Sequence, residues 1–230
     1  MPPIQFQLTP AEIEAVLLSL RIAGVAVAVA LPFAFATALL LARGRFFGKT
    51  LLDGIVHLPL VLPPVALGFL LLVLLGTRAG LGAFLAENFG IRFVFHWSGA
   101  ALASAILSFP FQVRAIRLVL EARDNGLDDA AATLGAGWWD RLVSITLPLA
   151  LPGMIAGAVT AFAACLGEFG AIITFVSNIP GETQTLPLAI YSALQQPGGE
   201  TAAMRLASLS IGLALVFMVV AQRLQRRAVR

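Results

Sequence analysis

The sequence contains little charge. Asp, Glu, Lys and Arg together make up 12% of its 230 residues, while 59% of the residues are hydrophobic. A soluble domain of this length needs far more polar residues to cover its surface. The net charge of +3 does not indicate nucleic-acid binding, because the basic residues are few and stand at the ends of apolar runs. The composition predicts an all-α integral membrane protein in contact with lipid, with a single domain over residues 1–230 and a core over 12–225.

Cysteine is almost absent as well, since Cys165 is the only one in the chain. A single cysteine excludes an intramolecular disulfide and a metal site built from several thiolates. His57 and His96 stand at opposite ends of different apolar runs, without metal-ligand spacing. The sequence also lacks a phosphate-cradling glycine loop and a serine-centred nucleophile motif. We therefore expect no cofactor, no metal and no catalytic residue, and any ATP that drives this protein must be bound by another chain.

The first fourteen residues lack Lys and Arg, which a cleavable signal peptide requires, so we expect no such peptide. The stretch Thr-Pro-Ala-Glu at 9–12 instead predicts the start of a helix. Thr9 is a good N-cap, Pro10 suits the first turn, and Glu12 stands where a capping box has an acid.

Long apolar runs predict the membrane spans, because about 20 apolar residues in a helix cross the bilayer. A shorter and more polar segment, 183–196, predicts a short helix at the membrane edge. The five predicted spans are 14–42, 52–77, 97–120, 150–173 and 202–222.

Lys and Arg in the connections predict the orientation, since cytoplasmic loops are enriched in these residues. The distribution places the N-terminus outside and the C-terminus inside the cell. Arg21 is expected near the outer interface, because an arginine in mid-bilayer is costly. Arg114 and Arg117 allow a second interpretation as an anion exit, although flanking charges explain them more simply. The basic residues on the predicted cytoplasmic side are Arg43, Arg45, Lys49, Arg114, Arg117, Arg123, Arg141, Arg223, Arg226, Arg227 and Arg230, and those on the outer side are Arg78, Arg92 and Arg205.

The segment 128–148 interrupts the apolar pattern on the predicted cytoplasmic side. Acids followed by alanines predict one short helix, and Gly-Ala-Gly at 135–137 ends it. A second helix restarts at the Trp138–Trp139 pair and is expected to end at the prolines Pro148 and Pro152. These local signals leave two uses open. The helices could rest on the membrane with the tryptophans as anchors, or they could dock a cytoplasmic partner.

A resemblance favours docking. The segment resembles the EAA motif of ABC importer permeases, whose two short cytoplasmic coupling helices insert into a groove on the ATP-hydrolysing subunit. An aspartate replaces the usual glutamate, which keeps the charge. The residues that carry the resemblance are Asp129, Ala130, Ala131, Gly135, Ile145, Leu147 and Pro148.

Two further stretches, at 57–76 and 166–200, look like the molybdate branch of these permeases. The resemblance implies a multi-pass subunit of the bacterial inner membrane that is not itself an enzyme. It also implies a second permease copy, two cytoplasmic ATP-binding subunits and a periplasmic molybdate-binding protein. Sulfate or tungstate permeases of the same architecture remain the alternative. A stand-alone secondary transporter is disfavoured, because no inverted repeat is visible.

Six residues are candidates for the pathway or the outer loop. Prolines in the second span break its hydrogen bonding, which predicts either a packed bend or a gating bend. An acid late in the fourth span repels an oxyanion, so a capping or loop-holding role is expected for it. Hydroxyl and amide donors in the following polar loop could help an oxyanion pass without trapping it. The candidates are Pro63, Pro64, Glu168, Ser177, Asn178 and Thr183.

Overall fold

The computed structural model describes residues 8–77, 80–122 and 126–228, and within these ranges it contains helices and no strand. Arg78, Arg123 and Arg230, which entered the orientation argument, lie outside the described residues. The helices are α1 Pro10–Arg43, α2 Lys49–Val61, α3 Pro64–Leu75, α4 Gly80–Phe89, α5 Trp97–Glu121, α6 Gly126–Thr133, α7 Trp138–Arg141, α8 Leu147–Leu166, α9 Gly170–Val176, α10 Leu186–Leu194 and α11 Glu200–Ala228.

Helix α1 starts as its sequence predicts. The Thr9 hydroxyl accepts a hydrogen bond from the backbone N–H of Glu12, and the Glu12 carboxylate accepts one from the backbone N–H of Thr9. This reciprocal capping box satisfies two amide groups that the first turn leaves free. The helix has 34 residues and is about 51 Å long at 1.5 Å per residue. It therefore exceeds the hydrocarbon core of about 30 Å, and its ends project beyond the core.

The predicted second span, 52–77, is not one helix. It breaks into α2 and α3, which meet at an angle of 111°. Pro63 and Pro64 have no N–H group, so neither can continue the hydrogen bonding of α2, and Leu62 adopts an extended backbone at the break. Helix α3 then packs on α9, where a Cβ on Gly68 would lie 2.6 Å from the Ala171 carbonyl oxygen.

The predicted end of the second coupling helix at its prolines is wrong. Helix α7 continues into α8 through a π-helical turn at Leu142–Thr146, and the continuous unit runs from Trp138 to Leu166. The Leu147 N–H donates to the Leu142 carbonyl across this wider turn. Pro148 consequently stands in the first turn of α8, where its missing N–H is tolerated. At the other end, the predicted fourth span of 150–173 stops at Leu166.

Small residues allow the central helices to approach closely. Helix α8 presents buried Gly153, Gly157 and Ala161 at four-residue intervals. A Cβ on Gly157 would lie 2.9 Å from the Cα of Gln112 on α5. Within a bilayer such small side chains permit the backbone contacts that hold helices together. Helices α1, α5 and α8 thus form the centre of the bundle.

The remaining predicted helices are present. The third span, predicted at 97–120, is α5, and the short helix predicted within 183–196 is α10. The fifth span, predicted at 202–222, is the longer helix α11. In the described ranges, four helical units are long and apolar enough to cross a membrane, and the bent α2–α3 pair raises this number to five.

Candidate coupling and translocation site

The segment 128–148, called the coupling segment below, is largely exposed at the surface of the bundle. Helix α6 carries Asp129, Ala130 and Ala131, of which Ala131 is half-buried and the other two are exposed. Two large apolar side chains on or next to this segment are also exposed, Leu127 at 53% and Leu134 at 87%. An acidic helix surface flanked by exposed leucines is typical of a surface that another protein covers.

Gly135 ends α6 in a Schellman motif. The Ala136 N–H donates to the Ala131 carbonyl, and the Gly135 N–H donates to the Ala132 carbonyl, both at 3.0 Å. Gly135 has a φ of +85°, which an L side chain rarely adopts. This glycine is therefore required by the backbone conformation and not by lack of space, since no atom lies within 4 Å of where its Cβ would be.

The second half of the motif lies on the continuous α7–α8 unit. Ile145 is half-buried in the π-helical turn, while Leu147 and Pro148 at the start of α8 are exposed. The Trp138 and Trp139 rings meet edge to face, with centroids 4.5 Å apart, and both are exposed. The structure thus places six of the seven motif residues on α6 and on the continuous α7–α8 unit, and the seventh, Gly135, in the connection 134–137 between them.

The coupling segment is fastened to α1 by a residue outside the motif. Thr146 is fully buried, and its hydroxyl oxygen accepts a hydrogen bond of 3.1 Å from the Arg43 guanidinium at the end of α1. Sequence reasoning assigned Arg43 to membrane orientation and passed over Thr146. A polar residue inside the apolar stretch Val-Ser-Ile-Thr-Leu was the available signal.

Arg117 is not available as an anion exit. Its guanidinium donates to Asp53 on α2 at 2.9 Å and to Glu121 on α5 at 2.6 Å, so two carboxylates neutralise it. Arg114 is exposed, and together with Arg117 it lines an open cavity of about 440 Å³. The Arg117–Asp53 pair joins α2 to the last turns of α5, and the Arg117–Glu121 pair lies within α5.

The opposite end of the bundle contains a buried ion pair. The Arg205 guanidinium on α11 donates two hydrogen bonds to the Glu12 carboxylate, at 2.6 and 3.0 Å. The Glu12 and Arg205 side chains are 8% and 15% exposed. Nearby, the Ser19 hydroxyl accepts a 2.7 Å hydrogen bond from the Leu186 N–H. These contacts join α10 and α11 to the first half of α1.

Arg21 lies at the same end, beside the first residue of α5. Its guanidinium carbon is 3.9 Å from the centroid of the Trp97 ring. Stacking of this kind stabilises a cation by about 0.5–2 kcal/mol. The contact, together with the first-turn position of Trp97, supports the predicted place of Arg21 near one face of the membrane.

In the polar loop after α9, most side-chain hydrogen-bond donors bond to acceptors in the loop itself or on α10. Thr183 is fully buried, and its hydroxyl donates to the Ser177 carbonyl and accepts from the Ile179 N–H. The Asn178 amide donates to Ser192 on α10 at 2.7 Å and accepts from Gln184. Ser177 holds a positive φ of 68°. In this conformation the hydroxyl of Thr183 and the amide of Asn178 order the loop.

The break of the second predicted span and Glu168 lie together. Pro64 and Glu168 both line a cavity of about 270 Å³. A Glu168 carboxylate oxygen accepts a 2.8 Å hydrogen bond from the Ala171 N–H at the start of α9. This contact lies where the predicted capping or loop-holding role of Glu168 requires one, and that role stays a prediction. About 30 Å of helix α8 separates this region from the coupling segment, at 1.5 Å for each of its 20 residues.

Comparison with known proteins identifies the family. The family described as binding-protein-dependent transport system inner membrane component matches residues 30–230. The chain belongs to this family. The match includes every helix from α2 to α11 and the C-terminal part of α1, so the coupling segment and the polar loop after α9 are both part of the family domain.

Similar proteins extend the match over nearly the whole chain. The molybdenum transport system permease protein ModB of Escherichia coli (strain K12) is 56% identical over 95% of this chain and 96% of that protein. The sulfate transport system permease protein CysW of Synechococcus elongatus is 36% identical over 94% of this chain and 75% of that protein. A crystal structure of a bacterial ABC transporter involved in alginate import has a TM-score of 0.77 at 21% identity, over 96% of this chain and 80% of that chain. The protein is thus a multi-pass membrane component of a transport system, with the fold of an ABC transporter membrane subunit.

Proposed function

We propose that this chain is the permease subunit of an ATP-driven molybdate importer, through which the oxyanion passes from an external binding protein to the cytoplasm. The observation that carries this proposal is the 56% identity to a molybdenum permease over almost the full length of both proteins. The similarity to a sulfate permease is weaker and covers three quarters of that protein.

The proposed assembly contains two copies of this chain, two cytoplasmic ATPase subunits and a periplasmic molybdate-binding protein. The sequence lacks a phosphate-cradling glycine motif, which supports the assignment of ATP hydrolysis to the separate subunits. The exposed leucines and tryptophans of the coupling segment support its contact with another protein. Exposure of apolar side chains to water is unfavourable in free energy, and binding to a partner would bury them.

The orientation is also a proposal, with the N-terminus outside and the coupling segment in the cytoplasm. The structure gathers basic residues at one end of the bundle, where the Arg43–Thr146 and Arg117–Asp53 contacts join α1, α2, α5 and the start of α8. This end is rich in Lys and Arg, as a cytoplasmic face is.

The continuous α7–α8 unit supplies a route for coupling. A movement of the ATPase at Trp138–Arg141 is passed along one helix to its far end at Leu166, beside Glu168 and α9. Such a unit can bias the equilibrium between inward and outward access when each position of α7 favours one state. The motif residues Asp129, Gly135 and Pro148 then serve to position α6 and α7 against the ATPase.

Uptake of radiolabelled molybdate tests the proposed substrate. The chain replaces the permease of a bacterial strain that lacks its own molybdate permease, and uptake is measured with and without excess sulfate or tungstate. We expect molybdate uptake to be unchanged by sulfate and reduced by tungstate. Tungstate competes because it has nearly the same size and charge as molybdate.

Inhibition by excess sulfate as strong as inhibition by tungstate would contradict the molybdate assignment and favour a sulfate permease. Uptake by the purified chain in vesicles without ATP would contradict the importer class. The matched control is a Gly135→Trp variant, which should reach the membrane in normal amounts without supporting uptake.

A further inference from the structure

The cavity at the break between α2 and α3 has a mainly apolar wall that also carries several polar side chains. Its volume is about 270 Å³, and it lies between α2, α3, α5 and the end of α8. Four side chains on its wall carry polar atoms: Ser104 and Ser108 on α5, Cys165 on α8, and Glu168. Apolar cavities in proteins stay dry, whereas polar cavities of this size hold ordered water.

Ser104 gives the strongest sign of a ligand. Its side chain is 1% exposed, and within the described part of the chain its hydroxyl has no hydrogen-bond partner. A buried hydroxyl without a hydrogen-bond partner destabilises the folded state. Native proteins rarely leave such a group unsatisfied unless water or another ligand reaches it.

The broken backbone adds further acceptors to the same wall. In a continuous helix, the carbonyl groups of Pro59 and Leu60 would accept from residues 63 and 64. Both of these residues are prolines and have no N–H group. Pro59 and Leu60 line the cavity. In a membrane protein, water is one of the partners that satisfies carbonyl groups freed in this way.

The charge of the wall decides between water and the transported anion. Glu168 brings a carboxylate to the cavity, and no Lys or Arg is among its lining residues. A dianion would therefore meet a negative group and only neutral hydroxyl donors, which is unfavourable at low dielectric. Water can both donate to the carbonyl and carboxylate oxygens and accept from the Ser104 hydroxyl.

We propose that this cavity is a binding site for a cluster of water molecules that bridges Ser104, Glu168 and the backbone carbonyl groups freed at Pro63–Pro64. At about 30 Å³ per molecule, it holds several waters. The water cluster donates hydrogen bonds to the carbonyl groups freed at the break between α2 and α3, and it lies apart from the substrate. This inference does not depend on which oxyanion is carried.

The sign of a stability change distinguishes a hydrated cavity from a dry one. In the full chain reconstituted in lipid, Ser104→Ala removes a water partner, so the apparent unfolding temperature should fall by a few degrees. If the cavity is dry, the same change removes an unsatisfied hydroxyl, and the temperature should rise. Ser208→Ala, at an exposed helical serine bonded to its own helix, controls for helix propensity.

Labelling of Cys165 gives a second readout that needs no change at Ser104. This cysteine is the only one in the chain and lines the cavity. A small water-soluble methanethiosulfonate should modify it faster than a cysteine placed at Ala161 in a Cys165→Ala background. Ala161 is fully buried one turn away on α8 and does not line the cavity.

Equal labelling rates for the two cysteines, or a rise in unfolding temperature for Ser104→Ala, would overturn the water site. Saturating molybdate should leave the labelling rate of Cys165 unchanged. A clear decrease in that rate would place the oxyanion in the cavity and likewise refute the proposal. Failure of molybdate uptake alone has no bearing on these measurements, so the two proposals fail separately.

Discussion

Replacing Gly135 with alanine should weaken transport while the chain still reaches the membrane. The coupling segment offers a matched pair of glycines, because neither Gly135 nor Gly137 has an atom within 4 Å of where a Cβ would be. They differ in backbone conformation: Gly135 has a φ of +85° and Gly137 a φ of −67°. An alanine at either position meets no steric contact, so only the left-handed conformation at 135 is penalised.

The size of the effect follows from that conformation. A left-handed backbone costs an L-residue about 1–2 kcal/mol relative to glycine. A difference of this size lowers the ratio of capped to uncapped α6 by about 5- to 30-fold. A larger share of molecules then lacks the Schellman hydrogen bonds from Gly135 and Ala136, and in these molecules α6 loses its fixed angle to α7. Gly137→Ala should leave this ratio nearly unchanged.

Molybdate uptake, normalised to the amount of permease in the membrane, measures the effect. We expect several-fold lower uptake for Gly135→Ala and near-normal uptake for Gly137→Ala. Gly135→Asn should lie between them, because asparagine tolerates the left-handed conformation better than other residues. Equal uptake by the two alanine variants would refute the reasoning that the capped turn of α6 is needed for coupling.

Two further predictions concern the contacts at the ends of the bundle. Arg205→Ala leaves the buried Glu12 carboxylate unpaired, so it should destabilise the protein by about 3 kcal/mol, measured as unfolding in detergent or lipid. The exposed Arg92→Ala is its control and should change stability little, and equal effects would argue against the pair. Thr146→Val removes the acceptor for the Arg43 guanidinium at the start of α8, so uptake should fall while the protein inserts normally. Thr160→Val, at an exposed threonine in the same helix, should retain uptake, and a similar loss in both variants would contradict the fastening role of Thr146.

The sequence was sufficient to predict those parts of the structure that depend only on residues close together in the chain. The capping box at Thr9 and Glu12 involves groups three residues apart, and the helix break at Gly135 follows from glycine's access to positive φ. The long helices α1, α5 and α11 follow from apolar runs that match the bilayer. The resemblance over the coupling segment and the two longer stretches correctly indicated the permease family.

The sequence by itself therefore determined the membrane class, the helical content and the approximate spans. The prolines of the second span predicted a bend, whereas only the tertiary structure decided its angle and the continuation of the helix at Pro148. At Pro148 the helix continues, because a π-helical turn precedes it, whereas at Pro63 and Pro64 the chain bends by 111°. Pro63 and Pro64 together remove two backbone donors, whereas Pro148 removes one, and the helix continues there through the wider turn at Leu142–Thr146. The pairing of Arg205 with Glu12 and of Arg43 with Thr146 was equally beyond local reasoning, because these residues are far apart in the chain and meet only when α1 packs against α11 and α8.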